Sequence, residues 1–128
     1  MPNVWIVDDD EEMAGAITLM LKLLRHAPRH FLSARAAAEA LLAGGSPDLM
    51  LLDINMPEVS GLDLLEFIRR RADWNGVPVV MLSTEAADVT VDRAISLGAD
   101  GYVMKPATIE ELERTLNRAI AKHGKGKV

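Results

Sequence analysis

The 128-residue chain contains no cysteine, which excludes a disulfide framework, a thiolate zinc site and a thiol nucleophile, and fits a reducing, cytoplasmic setting. It also lacks any apolar run that could span a bilayer, because acidic or basic residues interrupt each one well short of about 18 residues. No basic segment, apolar leader or small-residue cleavage site precedes Val4-Trp5-Ile6-Val7, so neither secretion nor membrane association is expected. Positive charge is in deficit. With 14 Lys and Arg against 19 Asp and Glu, the net charge is −5 and the pI near 5.1, a balance that repels phosphate backbones and argues against direct nucleic-acid binding. There is no internal repeat and no low-complexity segment.

What is present suffices for one core: 49% of residues are hydrophobic, in a chain of single-domain length. Short apolar runs alternate five times with longer amphipathic stretches, the pattern of βα units in a parallel sheet covered by helices on both faces. The first strand is Val4–Val7, and the helix behind it carries Met13, Ile17, Leu21 and Leu24 on one face. Asp10 caps that helix. A second strand is expected around His30-Phe31-Leu32, ahead of an Ala-rich helix from Ser33 to Ala43 that Gly44-Gly45 stops. The run Asp48–Leu52, behind Pro47, reads as a central strand buried on both faces and ends at Asp53. Ser60-Gly61-Leu62-Asp63 opens a helix to about Ala72. Val77–Leu82 is the fourth strand, with Ser83 just past it, and Ala87, Val91, Ala94 and Ile95 mark one face of its helix before Gly98. Gly101–Met104 is the fifth. After Lys105-Pro106, Thr108 and Glu111 cap a last helix with Ile109, Leu112, Leu116 and Ile120 as its apolar stripe. One domain over 1–122 and a flexible basic tail over 123–128 follow.

In an open parallel sheet, ligands gather outside the carboxyl ends of the strands. Asp8, Asp9, Asp53, Ser83 and Lys105 all follow strands at that edge. Three carboxylates brought together repel, which raises at least one pKa unless a cation offsets them. Oxygen-only ligation without nearby His or Cys points to Mg²⁺, with Mn²⁺ as a substitute. Lys105 supplies a point charge and Ser83 a hydroxyl donor, and both suit oxygens on a group attached at Asp53. That is a phosphoryl-binding inventory, and a carboxylate that attacks phosphorus forms an acyl phosphate.

Taken together, Ile6-Val7-Asp8-Asp9-Asp10, Leu51-Leu52-Asp53-Ile54-Asn55-Met56-Pro57, Gly61, Met81-Leu82-Ser83 and Gly98-Ala99-Asp100-Gly101-Tyr102-Val103-Met104-Lys105-Pro106 resemble the receiver domain of two-component response regulators, over nearly the whole chain. The resemblance implies a flavodoxin-like (βα)5 fold, a doubly wound parallel sheet with strand order 2-1-3-4-5. It implies that Asp53 accepts phosphate from a histidine kinase, a phosphotransfer protein or a small phosphodonor. Asp9 and Asp53 would bind Mg²⁺ by side chain, Asn55 by backbone carbonyl, and Asp8 mainly through water. Ser83 and Lys105 would bind the phosphoryl group, Tyr102 would be the aromatic switch, and Pro106 would follow a cis bond. Asn55 and Glu85 stand where the family tunes hydrolysis of the acyl phosphate, which implies a short-lived state. Thr84 replaces a smaller residue, and Ala107 a frequent Phe.

A phosphorylation switch acting through the fourth helix, fifth strand and fifth helix is therefore expected, one that catalyses only its own phosphorylation and dephosphorylation. The chain stops one helix after Lys105-Pro106, so it is expected to bind a downstream partner, pass phosphate onward, or be excised from a larger regulator that holds the output domain. A monomer is the default, with a dimer through the last helix and strand as the alternative. Two other readings stand beside it. An aspartate-nucleophile phosphatase of the haloacid dehalogenase type shares the carboxylate, metal and lysine, but Ile54-Asn55 offers no second acid to protonate a leaving group and no cap insertion encloses a substrate. A degenerate, phosphorylation-independent receiver does not fit the complete acidic set.

Overall fold

The structure, a computed structural model, describes residues 1–84 and 87–123. Five strands, β1 (Asn3–Val7), β2 (Ala27–Phe31), β3 (Leu49–Asp53), β4 (Val79–Ser83) and β5 (Gly101–Met104), alternate with helices α1 (Glu11–Leu23), α2 (Ala34–Leu42), α3 (Gly61–Arg69), α4 (Asp88–Ser96) and α5 (Ile109–Lys122). The strands form one parallel sheet in the order β2-β1-β3-β4-β5, the flavodoxin-like arrangement expected from the sequence.

Alternation along the strands separates two core layers. Trp5, Val7, Met50, Leu52, Val79 and Met81 point to one layer, closed by α2, α3 and Ala94 of α4. Val4, Ile6, Leu49, Leu51, Val80 and Leu82 point to the other, closed by Ala14, Ile17 and Leu21 of α1 and Leu112, Leu116 and Ala119 of α5. β3 and β4 are buried throughout, which is why they read as unbroken apolar runs. Both are central, so the edge where they end lies over the middle of the sheet.

Side-chain caps start four of the helices: Asp10, Ser33, Ser60 and Thr108 accept from the amides of Met13, Ala36, Asp63 and Glu111. At Ser60 the pairing is reciprocal, as Asp63 accepts from the Ser60 amide. Three expected elements shift their bounds, and a fourth is less buried than its apolar stripe suggests. β2 begins at Ala27 and ends at Phe31; its polar sequence holds at the sheet edge because Phe31 packs 4.7 Å from Trp5 and the Arg29 guanidinium lies over both rings. α3 stops at Arg69 instead of Ala72, since turns through Arg71, Trp74 and Val77 fold the chain back and bury Trp74 beside Phe67. β4 extends to Ser83, which pairs with Met104 and is wholly buried. α4 buries only Ala94 of its expected stripe; Val91 is half-buried, and Ala87 and Ile95 are exposed. Periodicity identifies a face, not how closely neighbours cover it.

At the amino ends of the strands, opposite the carboxyl edge, Arg69 ties three segments together. Its guanidinium donates to the carbonyls of Gly98 (2.9 Å) and Val77 (2.8 Å) and pairs with Asp100 (2.9 Å). Asp100 also accepts from the amide of Val79, and His123, the cap residue of α5, lies 2.8 Å from it. His123 thus meets the domain body, and the rest of the expected tail, 124–128, lies outside the described residues. Removing Arg69 leaves a largely buried carboxylate without its strongest partner. Arg69→Ala should therefore lower stability by about 2–4 kcal/mol, while Arg70→Ala, which breaks an exposed pair with Glu66, should cost within about 0.5 kcal/mol; urea denaturation of both variants checks the contrast.

Candidate functional site

β1, β3 and β5 each deliver a charged residue to the carboxyl edge of the sheet. Asp8 follows β1 and is fully buried, Asp53 ends β3 and is 4% exposed, and Lys105 follows β5. The Lys105 ammonium lies 3.0 Å from Asp8 Oδ2 and 3.1 Å from Asp53 Oδ1, bridging two strands that are not its sheet neighbours. The Lys105 amide donates to Ser83 O at 2.8 Å, and the Lys105–Pro106 peptide is cis. Asp9 is exposed, and oxygens of Asp8, Asp9 and Asp53 lie within 4.8 Å of one another.

Close packing places Asp53. The Ile54 amide donates to Leu82 O, and the amide of Gly61, the first residue of α3, donates to Ile54 O. A Cβ on Gly61 would stand 2.1 Å from the Asp53 carbonyl oxygen, so only glycine lets α3 start this close to the loop. Asn55 is exposed beyond Asp53, and Thr84 is exposed beyond Ser83. Tyr102 is half-buried on edge strand β5, against the layer that contains Ala94 and Ala99. Glu85 lies outside the described residues.

Among the described residues, the cluster sets three carboxylates against the one ammonium of Lys105, so negative charge is in excess. Burial raises the Asp53 pKa, the Lys105 hydrogen bond opposes it, and the charges of Asp8 and Asp9 push further up, to about 6. Burial works against the Lys105 ammonium too, but its bonds to Asp8 and Asp53 outweigh it and hold its pKa above the ordinary value. The donor set, all carboxylate oxygen, partly buried and over-charged, fits a hard divalent cation such as Mg²⁺ and offers nothing to soft metals.

Comparison with known proteins agrees with this geometry. The family model of the response regulator receiver domain matches residues 4–117, and the chain belongs to that family. It is 29% identical to the two-component response regulator ORR3 of Oryza sativa subsp. indica, covering 94% of this chain and 92% of that one. It is 34% identical to the KDP operon transcriptional regulatory protein KdpE of Escherichia coli (strain K12), covering 96% of this chain and 53% of that one. The solved structure of the Vibrio cholerae chemotaxis protein CheY4 superposes with a TM-score of 0.84 at 27% identity, over 93% of this chain and 98% of that one. The chain is thus a two-component signalling domain, and among the described residues no helix is long and apolar enough to cross a membrane.

Of the residues singled out in the sequence, Asp8, Asp9, Asp53 and Lys105 meet at one point, and Ser83 ends the strand beside it. Sequence reasoning missed His30, whose ring contacts the Asp8 carbonyl; Pro28 and Arg29 beside it make the segment polar, so His30 does not stand out.

The Asp53 shift has a consequence for stability. Because its folded pKa lies above the unfolded value, the folded protein binds the proton more tightly, and stability falls as pH rises from about 4 to about 6. Asp53→Asn removes that ionisation. In chelator, the variant should melt above wild type beyond about pH 6 and converge with it near about pH 4; a variant that melts lower at neutral pH would contradict the assignment.

Proposed function

We propose that this chain is a phosphorylation-dependent switch in which Asp53 accepts a phosphoryl group from a histidine kinase or phosphotransfer protein. The observation that carries the reading is the Lys105 bridge between Asp8 and Asp53 inside a three-carboxylate cluster. A carboxylate oxygen of Asp53 attacks phosphorus, the bond from phosphorus to the donor breaks, and the leaving group departs with the electron pair. Lys105, held at the site by Asp8, would pair with a phosphoryl oxygen once Asp53 carries it. Ser83, buried at the end of the neighbouring strand, would donate its hydroxyl.

Asp8, Asp9, Asp53 and the backbone carbonyl of Asn55 would hold Mg²⁺ or Mn²⁺, and a cation bound there would offset charge on the transferring oxygens. The switch itself would act through α4, β5 and α5. Support comes from the thin cover of α4, where Val89 is 80% and Ile95 46% exposed, and from Tyr102 beside it on β5. A thinly covered helix that exposes Val89 and Ile95 next to a half-buried aromatic suits a surface that a downstream partner reads. Asn55, exposed beyond Asp53, would together with Glu85 keep the phosphoryl state short-lived. The chain would catalyse only its own phosphorylation and its reversal, acting as a cytoplasmic monomer.

Incubation with acetyl phosphate and Mg²⁺, followed by intact mass measurement, should show a single phosphate per chain. The adduct should disappear in Asp53→Ala and in chelator. Multiple turnover of a generic phosphate ester would favour a phosphatase instead, and an undiminished adduct in Asp53→Ala would overturn the assignment.

A further inference from the structure

The polar groups of Asp8 are held from four directions. Its amide donates to Phe31 O at 3.0 Å, its Oδ1 accepts from the Asp10 amide at 2.9 Å, and its Oδ2 takes the Lys105 ammonium at 3.0 Å. The fourth partner is a side chain on another strand, for His30 Nε2 lies 2.7 Å from the Asp8 carbonyl oxygen. A carbonyl only accepts, so Nε2 carries the proton and donates.

His30 sits on edge strand β2 opposite Ile6, half-buried, one residue before the strand ends. Strand pairing stops there. Beyond Phe31, Ser33 caps α2, while β1 runs on into the acidic loop. The His30 ring reaches the carbonyl at the point where the regular ladder between β1 and β2 gives out. That carbonyl belongs to the peptide joining Asp8 to Asp9, so its orientation sets the direction in which Asp9 leaves the backbone. Asp9 is exposed, yet one of its oxygens lies within 4.8 Å of those of Asp8 and Asp53. For an exposed side chain, the direction set by its own backbone weighs heavily.

We infer that His30 is a positioning residue that, through the Asp8 carbonyl, aims Asp9 into the acidic cluster and so sets its affinity for Mg²⁺. The inference rests on the phosphoacceptor reading of that cluster. Partners that orient ligating groups without touching the metal typically matter by tenfold or more in affinity, and fixing one peptide plane belongs at the low end of that range. The effect falls on cation binding and not on attack by Asp53, which approaches from a different strand.

The test compares wild type, His30→Leu, His30→Gln and Asp9→Asn. Mg²⁺ affinity is read by calorimetric titration, and the rate of phosphorylation by acetyl phosphate is taken at limiting and at saturating Mg²⁺. His30→Leu should bind Mg²⁺ about tenfold more weakly and recover the wild-type rate at saturation. His30→Gln, which keeps an N–H donor at similar reach, should restore most of the affinity. In metal-free wild type, ¹⁵N NMR should find the His30 Nε2 protonated. Wild-type affinity in a folded His30→Leu, no rescue by His30→Gln, or an unprotonated Nε2 would each overturn the inference alone. Mg²⁺ affinity unchanged by Asp9→Asn would instead overturn the cation reading of the cluster on which it depends.

Discussion

Lys105 forms ion pairs with Asp8 and Asp53 from the end of a third strand, and this pairing is the constraint on which the carboxyl edge depends. One ammonium cannot offset three neighbouring carboxylates, so the site keeps an excess of negative charge beside buried backbone. That excess is costly to the protein and creates a demand for a small cation, while Lys105 keeps one positive charge beside Asp53. Neutralising any one member would change the protonation or pairing of the others.

The rest of the fold supplies rigidity to that edge. β3 and β4 are buried on both faces, and Gly61 lets α3 begin against the Asp53 carbonyl, so the Asp53 carboxylate has little freedom to withdraw. At the far end of the sheet, Arg69 and Asp100 link the end of α3, the start of β4 and the approach to β5, with His123 adding the end of α5. The two charged clusters differ in kind. Around Arg69 the donors and acceptors are matched and the assembly is a clamp; around Asp53 they are unmatched. α4 lies between these extremes and is sparsely buried.

Much of this is legible in the sequence because it is local or periodic. The buried strands read as apolar runs, the helix starts carry Asp10, Ser33, Ser60 and Thr108, and each strand-end residue of the site sits at a fixed place in a repeated βα pattern. What escapes depends on partners far along the chain. Nothing near Arg69 announces a carboxylate 31 residues away, and nothing near His30 announces a carbonyl 22 residues earlier. The end of α3 is hidden because Trp74 is buried by a turn, not by a further helical face. β2 is blurred because an edge strand tolerates Pro28, Arg29 and His30.

The central claim is that Asp53 is held in a cluster with too little positive charge. Its side-chain carboxyl can be followed directly by ¹³C NMR across a pH titration, with chelator and with Mg²⁺. The expected result is a midpoint of about 6 in chelator and a carboxylate that stays ionised to well below that pH once Mg²⁺ is present. An ordinary midpoint near about 4, unmoved by Mg²⁺, would contradict it.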